Sequence, residues 1–237
     1  MATVVLAHGA WSAAWAWKKM RPLMAAAGHT FFTPTYTGLG ERDHLSRPEI
    51  DLSTHIQDVV NVLEFEDLKD VVLLGHSYGG MVATGVADKV RPRIKTVVYI
   101  DAFAPKDGQS LFDLTGPKAE GNMRAGAAKD GDGWRLSINP MPPDTSPEDS
   151  AWASPRRRPQ PIKTFEQRLK LTSPEAPPPR HYIYARKNGP GDVFRQFSER
   201  AKSEAGWNYY EIDASHNPHI TCPDVLMALL TEIMSAK

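Results

Sequence analysis

The stretch "VVLLGHSYGG", residues 71–80, sets Ser77 between Gly75 and Gly79, directly after four apolar residues. A solvated loop has no need of glycine two places to either side of a serine. A backbone driven into a very tight turn does, because side chains there would collide. An apolar strand, G-x-S-x-G and a helical pattern in succession predict a turn that lifts the Ser77 hydroxyl over a sheet edge as a nucleophile. The following helix aims its positive end and its free backbone N–H groups at that hydroxyl. Gly80 adds room for close packing.

Such a serine needs a base for its proton and donors for the oxyanion. Near the carboxyl terminus "NYYEIDASHNPHI" offers two histidines. His216, a few small or polar residues beyond the last predicted strand, is the expected base; His219 falls deeper in what becomes the final helix. For the oxyanion, "VVLAHGAW" ends the first strand at a glycine that lets the chain turn, so the N–H of Ala10 is one expected donor. The N–H of Tyr78, the residue after the nucleophile, is the other. His8 precedes the nucleophile in an arrangement whose base comes last, and is expected to brace the loop. Of Trp11, Trp15 and Trp17, only Trp11 is assigned to the substrate pocket, the others being expected in the core. "GLGERDHLSRPEIDL" matches no common metal-ligand spacing, so no metal site is expected there; it reads as a surface crossover turned by its glycines.

The elements that must position these groups alternate along the chain. Short runs rich in Val, Ile, Tyr and Phe predict strands at 3–7, 30–33, 71–74, 96–100, 181–185 and 208–212. Amphipathic patterns predict helices at 13–27, 52–65, 78–90, 193–205 and 223–235. Alternation of this kind predicts an α/β fold, a mainly parallel sheet of about six strands with helices on both faces. Ligands of such sheets sit at the carboxyl ends of the strands. The core is expected over 1–103 and 181–237. Residues 104–180, rich in Pro, Gly and charge, break the rhythm. A structureless loop of that length is improbable in a compact domain, so they are expected to form an inserted lid with short helices, one over Phe165–Leu171. The run "PRRRPQP" reads as a solvated edge.

Composition bounds the remaining classes. The chain has 237 residues, no net charge and 41% hydrophobic residues, which fits one globular domain of the larger kind. The neutral balance argues against a dedicated nucleic-acid or membrane-surface protein. One cysteine, Cys222, precludes an intramolecular disulfide and is expected as a small core residue. With no charged-then-apolar leader and no long apolar run, the expected compartment is the cytoplasm. A homodimer is left open.

Nearly end to end, the chain resembles the branch of the α/β-hydrolase superfamily that holds plant methylesterases, hydroxynitrile lyases and bacterial pyrethroid- and aryl-ester-hydrolysing esterases. The resemblance rests on "VVLAHGAWSAAWAWKKMRPLMAAAGH", "GHSYGG", "YIDAFAPKDG" and a histidine seven residues before Pro223. It implies an α/β-hydrolase fold with a lid and no cofactor. It maps Ser77 to the nucleophile, His216 to the base, and the N–H groups of Ala10 and Tyr78 to the oxyanion hole. Where many relatives carry the acid, after the penultimate strand, this chain has Asn188, with Asp192 four residues on. Asp101, at the carboxyl end of the preceding strand, is the alternative, and some superfamily members resemble that arrangement. Asp101 is the expected acid, with Asp192 the competing one.

Ser77, Asp101 and His216 in that order fit acyl transfer from a small carboxylic ester to water. A hydroxynitrile lyase needs a threonine in the first turn and a lysine after the base, where this chain has Gly9 and Asn217. A cofactor-free lyase or oxygenase, or a receptor that kept the fold without turnover, are the other readings; the presence of both serine and histidine speaks against the receptor.

Overall fold

The computed structural model describes residues 1–235, so residues 236–237 of the expected carboxyl-terminal core segment lie outside the described residues. Strands β1 (Thr3–Ala7), β2 (Thr30–Phe32), β3 (Val71–His76) and β4 (Ile94–Ile100) come first. β5 (Arg135–Leu136) and β6 (Gln160–Pro161) pair only with each other, as a short antiparallel ribbon. β7 (Arg180–Ala185) and β8 (Trp207–Ile212) complete a six-stranded sheet in the order β2-β1-β3-β4-β7-β8, parallel at every pairing.

Helices α1 (Met20–Ala26), α2 (Leu52–Phe65) and α3 (Gly79–Lys89) follow the early strands. α4 (Leu111–Thr115), α5 (Pro117–Asp130), α6 (Pro147–Ala153) and α7 (Lys163–Glu166) lie in the 104–180 segment. α8 (Arg195–Ser203), α9 (Pro218–Thr221) and α10 (Pro223–Ser235) close the chain. Alternate strand residues feed the two faces. Val5, Leu73 and Val97 pack against α2, α3 and α8, while Val4, Leu6, Val72 and Leu74 pack against α1 and α10. Every residue of β3 is buried, which is why its sequence is a continuous apolar run rather than an alternation. α2 begins at a reciprocal cap, the Asp51 carboxylate accepting from the Thr54 N–H at 2.8 Å.

Two expectations need correction. The pattern at 13–27 is not one helix: a 3-10 turn at Ala14–Trp17 precedes α1, and the Ala14 N–H is taken by Thr35 Oγ1 at 3.1 Å. The expected helix at Phe165–Leu171 is instead α7, ending at Glu166. Gln167 is extended and its side-chain oxygen accepts from Ser53 N–H at 2.7 Å, while Leu169 N–H donates to Gln109 carbonyl at 2.9 Å. Tertiary hydrogen bonds there replace the helical ladder.

The 104–180 segment is ordered against the sheet. Leu111, Phe112, Leu136, Ile162 and Phe165 join the same hydrophobic cluster as Tyr78 and Met81 of the turn and α3. Among the described residues, no helix is long and apolar enough to cross a membrane.

Candidate active site

β3 delivers Ser77. Its backbone stands at φ 56°, the left-handed region that costs a side-chain-bearing residue steric strain. The turn is closed by Ser77 N–H donating to Ile100 carbonyl at 3.3 Å and by Phe103 N–H donating to Ser77 carbonyl at 3.1 Å. A Cβ on Gly79 would lie 2.0 Å from the Ala7 carbonyl oxygen, and one on Gly80 would lie 1.9 Å from that of Phe103. On Gly75 it would meet Gly79 oxygen at 3.0 Å. Those glycines are therefore required by backbone–backbone contact on both sides of the serine.

The loop after β8 delivers His216. Its Nε2 lies 2.9 Å from Ser77 Oγ and its Nδ1 lies 2.7 Å from Asp101 Oδ2. A carboxylate only accepts, so Nδ1 carries the proton and Nε2 is left to accept from the serine hydroxyl. Asp101, fully buried one residue past β4, also takes a left-handed backbone at φ 41°. Its carboxylate is held by Ala185 N–H at 3.2 Å and by the Asn188 amide, which reaches both oxygens at 3.1 and 3.0 Å. Asn188, where the resemblance would set the acid, thus holds the Asp101 carboxylate in place. Asp192 does not reach His216: it accepts from Tyr184 hydroxyl at 2.7 Å, from Phe194 N–H at 2.8 Å and, at 3.4 Å, from the same Asn188 amide.

Buried histidines surround this row. His76 donates from Nε2 to the His216 carbonyl at 2.8 Å, pinning the loop, and its own Nδ1 is buried without a partner. Burial and the neighbouring histidines hold it well below the ordinary imidazole range. His219 stacks on Trp17 at 4.5 Å in α9, ahead of the final helix rather than within it, and burial lowers it to about 3. His8 donates from Nδ1 to Gly9 carbonyl at 2.9 Å and accepts from Tyr36 N–H at 3.2 Å, bracing the first turn. Phe194 lies flat against His216, with ring centroids 4.7 Å apart.

The first turn lies against the second. A Cβ on Gly9 would be 3.2 Å from Ser77 Cβ. Among the described residues, the backbone N–H groups of Ala10 and Tyr78 donate to no protein acceptor. Both residues line a cavity of about 260 Å³ together with Ser77 and His216. Its walls include Trp11, Leu111, Met123, Met141, Phe165 and Phe194, an apolar set drawn largely from the 104–180 segment. Trp11 is itself left-handed, at φ 56°, and is tied across to that segment. Its N–H donates to Gln160 Oε1 at 3.2 Å and its indole to Leu136 carbonyl at 3.3 Å.

Two wall residues contradict a stated expectation. Trp15 lines the cavity, whereas Trp17 is core. Arg157, in the run read as a solvated edge, also lines it. Its guanidinium donates to the carbonyl and side-chain oxygens of Asn139 and sits 6.0 Å over the Trp11 ring. Burial lowers it to about 10. Its neighbour Arg156 is exposed, and nothing in three consecutive arginines distinguishes the one that turns inward.

A strained serine between close-packed glycines, a histidine and a buried carboxylate in a row, and a six-stranded parallel sheet together define a hydrolase-type site. Residues 4–229 match the alpha/beta hydrolase family, and the chain belongs to it. It is 37% identical to a carbendazim hydrolyzing esterase from Nocardioides sp. (strain SG-4G), over 98% of this chain and all of the relative. Among solved structures it is similar to an extracellular alpha/beta-hydrolase from a Paenibacillus species. The TM-score is 0.86 at 26% identity, covering 98% of each chain. A methylesterase from Arabidopsis matches with TM-score 0.77 at 25% identity over 99% of each chain.

Proposed function

We propose that this chain hydrolyses small to medium carboxylic esters through an acyl-enzyme on Ser77. The observation that carries the reading is the unbroken row Ser77 Oγ, His216 and Asp101, at 2.9 and 2.7 Å. The relative at 37% identity, itself an esterase across the full length of both chains, supports the same chemistry.

His216 Nε2 takes the serine proton as Oγ bonds to the ester carbonyl carbon. The carbonyl oxygen, now negative, is met by the N–H groups of Ala10 and Tyr78, the latter at the positive end of α3. Asp101 stabilises the imidazolium and fixes its tautomer. Collapse of the intermediate breaks the bond to the alkoxy oxygen, and His216 returns the proton to the leaving alcohol. Water then repeats the sequence on the acyl-enzyme and releases the acid.

Residues 104–180 act as the lid. They supply most of the apolar wall and exclude water from the developing charge. Gly9 and Asn217 at the cavity provide neither the hydroxyl nor the cation that a cyanide-releasing lyase would use. The partner is a small-molecule ester, and the single unpaired cysteine suits the reducing cytoplasm. The test is a panel of p-nitrophenyl and methyl esters, varied separately in acyl and alcohol size, on wild type and Ser77→Ala. Turnover by wild type and none by the variant is the expected result. Turnover within tenfold in both would overturn the reading.

A further inference from the structure

A second cavity of about 260 Å³ lies at the amino ends of β7 and β8, away from the carboxyl-end strand tips that carry Ser77 and Asp101. It is just below the range of roughly 300–1,000 Å³ usual for small-ligand sites. Arg180 opens β7 and Trp207 opens β8, and their side chains stack, the guanidinium carbon 4.4 Å from the indole centroid. Arg200, from α8, reaches the same indole at 5.2 Å. Both arginines and the tryptophan line the cavity, alongside Tyr99 and Pro178.

The hydrogen bonding of this wall is incomplete. Arg180 Nε, Arg200 Nε and Trp207 Nε1 are all buried without an acceptor. Buried donors are normally satisfied, so three around one cavity call for an explanation. The other charges at the rim are engaged, apart from the exposed Glu175. Arg91 donates to the carbonyls of Ala176 and Ile94, and Lys106 pairs with Glu204 at 3.2 Å. Asp88 accepts from the N–H groups of Thr172 and Ser173, and Asp107 from that of Leu171. Arg200 donates from Nη2 to Ala104 carbonyl at 2.7 Å and lies 3.7 Å from Glu204. Of the four cations lining the cavity, Arg91, Lys106, Arg180 and Arg200, Arg180 is the one that makes neither a side-chain hydrogen bond nor an ion pair.

We propose that this cavity binds a small monocarboxylate with a flat apolar body, its carboxylate on the Arg180 guanidinium and its body against Trp207, Tyr99 and Pro178. A guanidinium edge matches a carboxylate in a two-pronged bond, and its stacking on Trp207 fixes the plane in which it is offered. One uncommitted cation calls for one negative charge. Four carboxylates at the rim, Asp88, Asp107, Glu175 and Glu204, repel a polyanion. The site is independent of the hydrolytic row and does not rest on that chemistry.

Calorimetric titration of benzoate, benzamide and inorganic phosphate into the full chain tests it, with Arg180→Met, Arg180→Lys and Arg157→Met as variants. The expected result is saturable benzoate binding, weakened at least tenfold by Arg180→Met, less by Arg180→Lys, and unchanged by Arg157→Met. Benzamide and phosphate should bind at least tenfold more weakly. No benzoate binding at 10 mM (about a hundredfold above a typical ~0.1 mM ligand constant) overturns the proposal. So does benzamide binding equal to benzoate, phosphate binding tighter than benzoate, or loss only in Arg157→Met, which would place the carboxylate in the Ser77 cavity. Should Arg180→Met fail to fold, the benzoate–benzamide comparison and Arg180→Lys still decide.

Discussion

At the residue scale the decisive group is Asp101. Its carboxylate is buried, bonded to His216 Nδ1 and clamped by Asn188, whereas Asp192 is occupied by Tyr184 and the Phe194 backbone. Asp101→Asn should keep the shape while presenting the wrong hydrogen-bond polarity, and lower turnover by about ten-thousand-fold. Asp192→Asn should stay within about tenfold of wild type, since it touches neither His216 nor Ser77. Steady-state kinetics on one ester separates the two, and a reversed order would move the acid to the later loop. Ser77→Ala and His216→Ala should each cost on the order of a million-fold, because the two act as a unit. His219→Ala is different in kind. It removes a ring stacked on Trp17 and packed beside His76, so it should lower the melting temperature more than the turnover number.

At the scale of elements, the site depends on how closely β1, β3 and the turn after β4 approach one another. Gly79→Ala places a methyl 2.0 Å from Ala7 oxygen and Gly80→Ala one at 1.9 Å from Phe103 oxygen, both backbone atoms that cannot step aside. Either variant should lose several kcal/mol of stability, roughly at or beyond the 1–3 kcal/mol of ordinary overpacking. Chemical denaturation measures it. A second contact of this kind joins the proposed lid to the first turn. Gln160, buried in β6, accepts from Trp11 N–H and donates to Thr164 Oγ1 at 2.8 Å, so it sets the turn that carries the Ala10 N–H. Gln160→Ala should lower kcat by about ten- to a hundredfold through a small displacement of that donor, with a lesser change in KM. Gln160→Glu, which keeps the acceptor for Trp11, should recover part of it. Equal kcat in wild type and Gln160→Ala would remove the lid from oxyanion positioning.

Across the whole molecule, the unusual store of buried neutral histidine links stability to pH. Burial lowers His8 to about 4 and His55 to about 3, with His219 also near 3, against an ordinary value of 6.5. Between those values and 6.5 the unfolded chain binds protons that the folded chain does not, so the free energy of unfolding rises with pH. The stabilisation is fully present above about pH 6.5 and is lost as pH falls toward 4. For His8 alone it is on the order of 3 kcal/mol at its limit. The melting temperature should therefore be flat above pH 7 and drop steeply from pH 6 to pH 4. A flat profile down to pH 4.5 would mean that these rings charge without penalty.

The strand–turn–helix run around Ser77, the parallel sheet, and the place of His216 past the last strand were legible in the sequence because each is local. Apolar runs, glycine spacing and a histidine at a fixed distance from a strand are all read within a dozen residues. The strand limits at Thr3–Ala7 and the helix at Leu52–Phe65 follow from periodicity and a cap in the same way. What only the tertiary structure decided involves partners far apart along the chain. Asp101 was separated from Asp192 by the register of β4 against β7, which puts Ile183 carbonyl and Ala185 N–H on Asp101 and leaves Asn188 to clamp it. The early end of α7 was decided by hydrogen bonds from Ser53 N–H to the Gln167 side chain and from Leu169 N–H to the Gln109 carbonyl. Which of three adjacent arginines enters the cavity, and that Trp15 joins Trp11 there, depend on where residues 104–180 fold back over the sheet. A polar, proline-rich segment carries little periodicity of its own, so its conformation is fixed by the surface it packs against.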